Sequence, residues 1–185
     1  MKLTSGWTCE PYDVAAATRL SAVLGLSPAV AAILTRRGHG DPVAARAFLR
    51  ASERSDPAGL FGVEEACEVI LRHVRAGARV AVFGDYDVDG VCSTAMMVRT
   101  LRALGAGPLW RLPSREEGYG LSKAAVAELA AAGVKLLVTV DCGVGSIEEI
   151  AVARERGMEV VVTDHHRPSE TLPGCPVVHL SLIHI

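Results

Sequence analysis

Gly84-Asp-Tyr-Asp-Val-Asp-Gly90 is the stretch on which the reading of the fold turns. It sets three carboxylates, Asp85, Asp87 and Asp89, at every second position, where they repel one another unless cations hold them together. The residues before it, Ala78-Arg-Val-Ala-Val-Phe83, form a short Val-rich apolar run that reads as a buried strand with the aspartates at its C-terminal end. The residues after it, Val91 to Leu104, have the Ala, Met, Leu and Arg content of a helix, stopped by Gly105. Strand, acidic turn and helix in succession are the usual setting of a ligand site at the top of an open α/β sheet.

Two simpler readings compete. Asp-x-Asp-x-Asp-Gly is also half of a calcium-hand loop, but that loop needs a bidentate Glu at its twelfth position, here Met96, and a helix rather than a strand in front. A solvated acidic turn with no ligand accounts for one or two aspartates more readily than for three. What the rest of the chain delivers to the same place decides between them.

Half of the 185 residues are apolar, enough for a sizeable core, while aromatics are only 4 % and Ala and Val abound. That balance suits helices layered on a sheet better than an aromatic-rich sandwich. A net charge of −2 gives no bulk basic field to announce nucleic acid, so any such substrate must be met by local arginines. The five cysteines, Cys9, Cys67, Cys92, Cys142 and Cys175, are widely spaced with no Cys-x-x-Cys pair, which points to a reduced, cytoplasmic chain. No apolar run approaches the ~18 residues of a membrane span, and the N-terminus has no signal-peptide pattern, so no membrane partner is expected.

Residues 1 to 12 read as an irregular lead-in. Helices are expected from Asp13 to Leu24, from Pro28 to about Thr35 and from Pro42 to about Ala51, with Ser27 and Asp41 as caps before prolines. The result is a small helical module over residues 1–55, whose Arg36-Arg37-Gly38-His39-Gly40 corner is either a phosphate contact or a charged helix end in water. Residues 52–62, rich in small and turn-forming residues, mark the boundary to a second domain over 56–180, with 181–185 an atypical tail. In that second domain a helical stretch ends in glycine four times and an apolar run follows: Arg79 to Phe83, Leu109 to Leu112, Lys135 to Val140 and Glu159 to Thr163. A fifth short strand is expected at Pro176 to Val178, and Ser146 with Glu149 is spaced as a capping box. The class is α/β: a parallel β-sheet flanked by helices, preceded by the helical module.

If the runs are parallel strands, their C-terminal ends share one edge, and three of them end in chemistry. The first gives Asp85, Asp87 and Asp89, the third Asp141-Cys-Gly143, the fourth Asp164-His165-His166. Carboxylates mixed with imidazole suit Mn²⁺, and also Mg²⁺, Fe²⁺ or Zn²⁺, better than calcium. Five or more ligands can hold two ions about 3.5–4 Å apart, the arrangement that serves in-line displacement at phosphorus. Asp141, alone on the middle strand end, is expected to bridge them. Adjacent histidines on a strand point to opposite faces, so both reach the site only if the strand has already turned. His165 is the expected ligand, with His166 toward the scissile phosphate. By composition the Pro113 to Leu121 loop either presents Arg115 to a phosphate or simply turns the chain.

The four segments Gly84 to Gly90, Pro113 to Leu121, Val140 to Gly143 and Thr163-Asp-His-His166, in that order, resemble the DHH phosphoesterases and, among them, the RecJ-type single-strand exonucleases. The resemblance runs from about Asp56 to Val178 and extends to the helical lead. It implies a 5′→3′ exonuclease on single-stranded DNA in repair and recombination, using two Mn²⁺ or Mg²⁺ ions. It carries metal-binding roles to Asp87, Asp89, Asp141 and His165, and roles in the chemistry to Asp85, His166 and Arg115. Two departures stand out. Where some relatives place a ligating His, this chain has Phe83, and the family's later metal-binding aspartate, second domain and OB-type domain are not in the sequence, which runs out in His179-Leu-Ser-Leu-Ile-His-Ile185. The expectation is an N-terminal portion with little nuclease activity of its own. A phosphodiesterase of short oligonucleotides or cyclic dinucleotides, and a DHH-like scaffold that binds DNA without cutting, are the alternatives.

Overall fold

The computed structural model describes residues 11–51 and 56–180. The lead-in before Pro11, part of the boundary stretch and the 181–185 tail lie outside the described residues. The chain divides into two compact units, Met1–Ser55 and Asp56–Ile185.

The first unit holds three helices, α1 (Val14–Leu24), α2 (Pro28–Arg36) and α3 (Pro42–Arg50). Asp13, Ser27 and Asp41 each accept a hydrogen bond from a backbone N–H of the first turn, satisfying donors that a helix start leaves open. Pro28 and Pro42 open their helices, where a missing N–H costs nothing. Leu20, Ala31, Leu34 and Ala45 meet in a small core, their small side chains letting the helices approach closely.

The second unit alternates helix and strand: α4 (Val63–Arg75), β1 (Val80–Phe83), α5 (Val88–Ala103), β2 (Leu109–Arg111), α6 (Lys123–Ala131), β3 (Leu136–Val140), α7 (Ile147–Glu155), β4 (Glu159–Asp164) and β5 (Val177–His179). The strands form one sheet in the order β2-β1-β3-β4-β5, and every neighbouring pair is parallel. Along β1, β3 and β4 alternate side chains serve opposite faces. Ala81, Phe83, Leu137, Val160 and Val162 pack with Ala125, Val126 and Leu129 of α6 and Ile150 of α7. Val80, Val82, Leu136, Val138 and Val161 pack with Val69 of α4 and Val98 and Leu101 of α5. Helices therefore cover both faces, which explains why these strands read as unbroken apolar runs. No helix among the described residues is long and apolar enough to cross a membrane.

Three expectations need correction. β2 is not uniformly buried: it is an edge strand, and Leu109 and Trp110 are 39 % and 59 % exposed. The helix after the acidic turn starts at Val88 rather than Val91, because Asp87 caps it by accepting from the Gly90 N–H at 2.9 Å. The Ser146–Glu149 capping box does not form. Ser146 precedes α7 with ψ at 51°, outside the extended geometry a cap adopts, and its hydroxyl makes no capping bond.

The candidate metal centre

The strand order reverses between β1 and β3: the chain leaves β1 for one side of the sheet and returns to the other. The crevice above this switch point is where open α/β sheets bind ligands. The register Phe83↔Thr139 and Val140↔Thr163 brings the ends of β1, β3 and β4 to one rim, so Asp85, Asp141 and Asp164 all emerge there.

The acidic turn splits into three different environments. Asp85, two residues beyond β1, is 2 % exposed, and its Oδ1 is buried with no hydrogen-bond partner. Asp87 and Asp89 are exposed, one as the cap and one in the first turn of α5, where the positive end of the helix offsets part of their repulsion. Gly90 makes this packing feasible, because a Cβ there would overlap the Asp85 backbone.

Asp141 follows β3 with φ at 60°, a left-handed conformation that an Asp adopts only at a cost. Its side chain is buried, with Oδ1 2.9 Å from His165 Nε2 and Oδ2 buried and unpartnered. Burial pushes its carboxyl above the ordinary range; the charge of Asp87 adds to the rise, and His166 and His165 pull the other way.

Asp164 plays a different part. Its Oδ1 accepts from the His165 N–H at 2.7 Å, the His166 N–H at 3.0 Å and His166 Nδ1 at 2.8 Å, and its Oδ2 accepts from the Val144 N–H at 3.0 Å. Desolvation raises its pKa, but these bonds outweigh burial and hold the carboxyl below the usual range. They also turn the chain. β4 ends at Asp164, and both histidine rings then lie on the same side with centroids 4.6 Å apart. The condition under which both imidazoles reach the site is met.

Asp141, His165 and His166 each offer one ligand atom within 4.8 Å of the others. Asp87 is coupled electrostatically to Asp141, whereas Asp89 stands outside the trio. The loop over 113–121 comes to the same rim: the Arg115 guanidinium sits 4.9 Å from the ring centroid of Tyr86, the residue that separates Asp85 from Asp87 in the sequence. Phe83, where some relatives carry a His, is wholly buried and belongs to the core. Cys142, beside Asp141, is also core, its thiol pushed up first by burial and then by the nearby carboxylates.

Tyr119 was not singled out from the sequence, although it lies between two glycines in a loop already of interest. Its Oη is 2.9 Å from His166 Nδ1, and its hydroxyl donates to the Asp141 carbonyl at 3.3 Å. With His166 Nδ1–H shared by Asp164 and Tyr119, Nε2 is the ring nitrogen left for the site.

Two buried carboxylate oxygens without donors, one strained aspartate and two imidazoles held by hydrogen bonds form a donor set that suits a divalent cation of the Mn²⁺ or Mg²⁺ kind. The residues fit such an ion. Unpaired, the same groups would leave anionic oxygens buried at a cost of several kcal/mol, as a rough order of magnitude.

The single-stranded-DNA-specific exonuclease RecJ of Bacillus subtilis (strain 168) is 35 % identical over 177 residues, covering 94 % of this chain and 22 % of that protein. RecJ of Escherichia coli (strain K12) is 44 % identical over 121 residues, covering 64 % and 21 %. A crystal structure of exonuclease RecJ bound to manganese superposes with a TM-score of 0.65 at 42 % identity, over 70 % of this chain and 34 % of that one. RecJ from Thermus thermophilus in complex with Mn²⁺ gives 0.64 at 34 % identity, over 92 % and 24 %. The chain thus spans about a fifth of the length of these curated relatives. Because residues 79–182, more than half of the chain, match the N-terminal domain of the DHH family, and the Asp164-His165-His166 triplet stands at the rim of its sheet, this chain belongs to the DHH family.

Proposed function

We propose that this chain supplies the cation-holding part of a hydrolase that removes nucleotides from the 5′ end of single-stranded DNA. The observation that carries the reading is the convergence of Asp141, His165 and His166 within ligand distance at the switch point of the sheet. The likeness to RecJ exonucleases, and to RecJ structures holding Mn²⁺ or Mg²⁺, supplies the substrate class and the ion.

In this reading Asp87, Asp89, Asp141 and His165 hold the ions, with Asp141 central because its free Oδ2 and its His165-bonded Oδ1 face different neighbours. Bound Mn²⁺ or Mg²⁺ supplies a Lewis acid for the phosphate oxygens and lowers the pKa of an attacking water. Asp85, buried behind the turn, adds negative charge that favours cation uptake. His166, its pKa raised by the bond to Asp164 against desolvation, offers Nε2 to a non-bridging phosphate oxygen. Arg115, resting on Tyr86, presents a second cationic donor at the same rim.

The test is digestion by the longer protein that contains this chain, with Mn²⁺ present. Mononucleotides released from a 5′-ended single strand, with slow attack on blunt duplex and on cyclic dinucleotides, support the reading. Preferential hydrolysis of a cyclic dinucleotide would replace it with the oligonucleotide phosphodiesterase alternative.

A further inference from the structure

A cleft of about 400 Å³ opens beside the metal centre, between the loop that carries Tyr119 and Gly120 and the turn of Gly145 and Ser146 that leads into α7. His166 and Tyr119 belong to both the cleft and the centre, so whatever occupies one adjoins whatever occupies the other. The Tyr119 hydroxyl is pinned at the rim, while its side chain remains 54 % exposed. The opposite wall includes Gly143 and Gly145, and a Cβ added at Gly145 would meet nothing within 4 Å.

The polar groups of this wall are lightly engaged: Glu149 feels the charge of Lys123, whose direct partner is Glu148. Ser146 and Glu149 have capping-box spacing yet do not cap α7, and neither side chain makes a hydrogen bond among the described residues. The Ser146 hydroxyl faces the opposite loop, 3.9 Å from where a Cβ on Gly120 would lie. An aromatic ring held by its hydroxyl, glycines on both sides, and a hydroxyl with a carboxylate at the edge match a flat heteroaromatic ring bearing N–H donors, with Arg167 also on the lining.

We propose that this cleft is a nucleobase subsite, taking the base of the nucleotide whose phosphate lies at the metal centre. The proposal rests on the phosphodiesterase reading for its substrate. Tyr119 stacks on the base. Ser146 meets its edge as donor or acceptor, and Glu149 accepts from ring and exocyclic N–H groups, which guanine offers as an adjacent pair and thymine does not.

The experiment is an amide-shift titration of the isotope-labelled chain with dGMP, dTMP and inorganic phosphate, in EDTA. The expected result is shifts over residues 143–146 with dGMP, weaker ones with dTMP and none with phosphate. Tyr119→Ala weakens dGMP binding at least about fivefold, the low end for loss of one stacked base. Gly145→Leu, which introduces a side chain where open space is available and leaves the Tyr119 hydrogen bonds intact, weakens it comparably. Glu149→Gln narrows the difference between dGMP and dTMP. The subsite is overturned if dGMP leaves these amides unmoved, if phosphate moves them equally, or if Gly145→Leu binds dGMP like wild type. A parallel Mn²⁺ titration separates the two readings. Mn²⁺ uptake without dGMP in the cleft removes only the subsite. Occupancy of the cleft by dGMP without Mn²⁺ uptake sustains the base site and removes the hydrolase reading.

Discussion

Replacing Asp164 by Asn changes one atom and removes one charge, and the structure indicates how much this should cost. The carboxylate accepts four hydrogen bonds, three at Oδ1 and one at Oδ2, with the residue only 8 % exposed. In the less damaging orientation the Asn oxygen keeps the three donors of His165 and His166 and turns its NH₂ toward the Val144 N–H. The Val144 N–H and the Asn NH₂ are then two opposed donors without an acceptor, at about 1–3 kcal/mol, and three charge-assisted bonds become neutral ones, each weaker by roughly 1 kcal/mol. Relief of carboxylate desolvation offsets part of this, but the lowered pKa of Asp164 shows that its hydrogen bonds outweigh burial. A net loss of about 2–4 kcal/mol remains. At about 2–4 °C per kcal/mol for a chain of this size, the unfolding midpoint falls on the order of 10 °C. Because the bonds from the His165 and His166 N–H groups also set the turn that brings His165 to the centre, Mn²⁺ affinity falls about tenfold, as an order of magnitude. Thermal denaturation by circular dichroism and calorimetric Mn²⁺ titration on the two proteins measure both. A variant that melts within about 2 °C of wild type and binds Mn²⁺ equally well refutes the reasoning.

Three further outcomes follow from other parts of the molecule. Gly90→Ala gains about 1 kcal/mol of helix propensity but sets a Cβ against the Asp85 backbone, which cannot rotate away, at about 3 kcal/mol; urea denaturation should show a net loss of about 2 kcal/mol. Glu117 accepts from the Ser114 N–H and from Arg111, which hold its carboxyl below the usual range. The stability it contributes is therefore complete above its unfolded pKa and lost as pH falls through the lower folded value. A small midpoint difference between wild type and Glu117→Gln at pH 7 should shrink as the pH is lowered below the ordinary glutamate range, and one that stays undiminished in acid contradicts this linkage. Among the described cysteines, Cys67 and Cys92 are exposed, while burial raises the thiol pKa of Cys142, and that of Cys175 to about 11. Iodoacetamide followed by mass spectrometry should modify Cys67 and Cys92 in the native protein and reach Cys142 only on unfolding.

Much of the second unit was legible because strands covered on both faces leave an unmistakable trace: the apolar runs Arg79 to Phe83, Lys135 to Val140 and Glu159 to Thr163 match β1, β3 and β4 to within one residue at either end, and glycines such as Gly105 and Gly133 close the helices before their strands. That the ends of β1, β3 and β4 share one rim followed from parallel direction alone. What was not legible depends on strand order or on local side-chain hydrogen bonds. The exposure of Trp110 reflects the place of β2 at the edge, which no pattern within β2 encodes. The start of α5 at Val88 reflects a second use of Asp87, as a cap, and repeated aspartates look the same whether they cap or ligate. The shared orientation of His165 and His166 is the work of Asp164, and the hold of Tyr119 on His166 joins residues 47 positions apart. Ser146 and Glu149 had the correct spacing for a capping box, but the backbone at Ser146 does not adopt the conformation a cap requires.

Every role proposed for the rim depends on Asp141 as the centre of a cation site. Asn tolerates the left-handed backbone found at this position, so Asp141→Asn removes the charge without adding backbone strain. Calorimetric Mn²⁺ titration of wild type and Asp141→Asn, with melting measured in EDTA, is the most direct test. Asp141→Asn is expected to lose at least tenfold in Mn²⁺ affinity, as an order of magnitude, and to keep a metal-free melting point equal to or above that of wild type, because burial and the charge of Asp87 disfavour the carboxylate. Equal Mn²⁺ binding by the two proteins would contradict that role for Asp141.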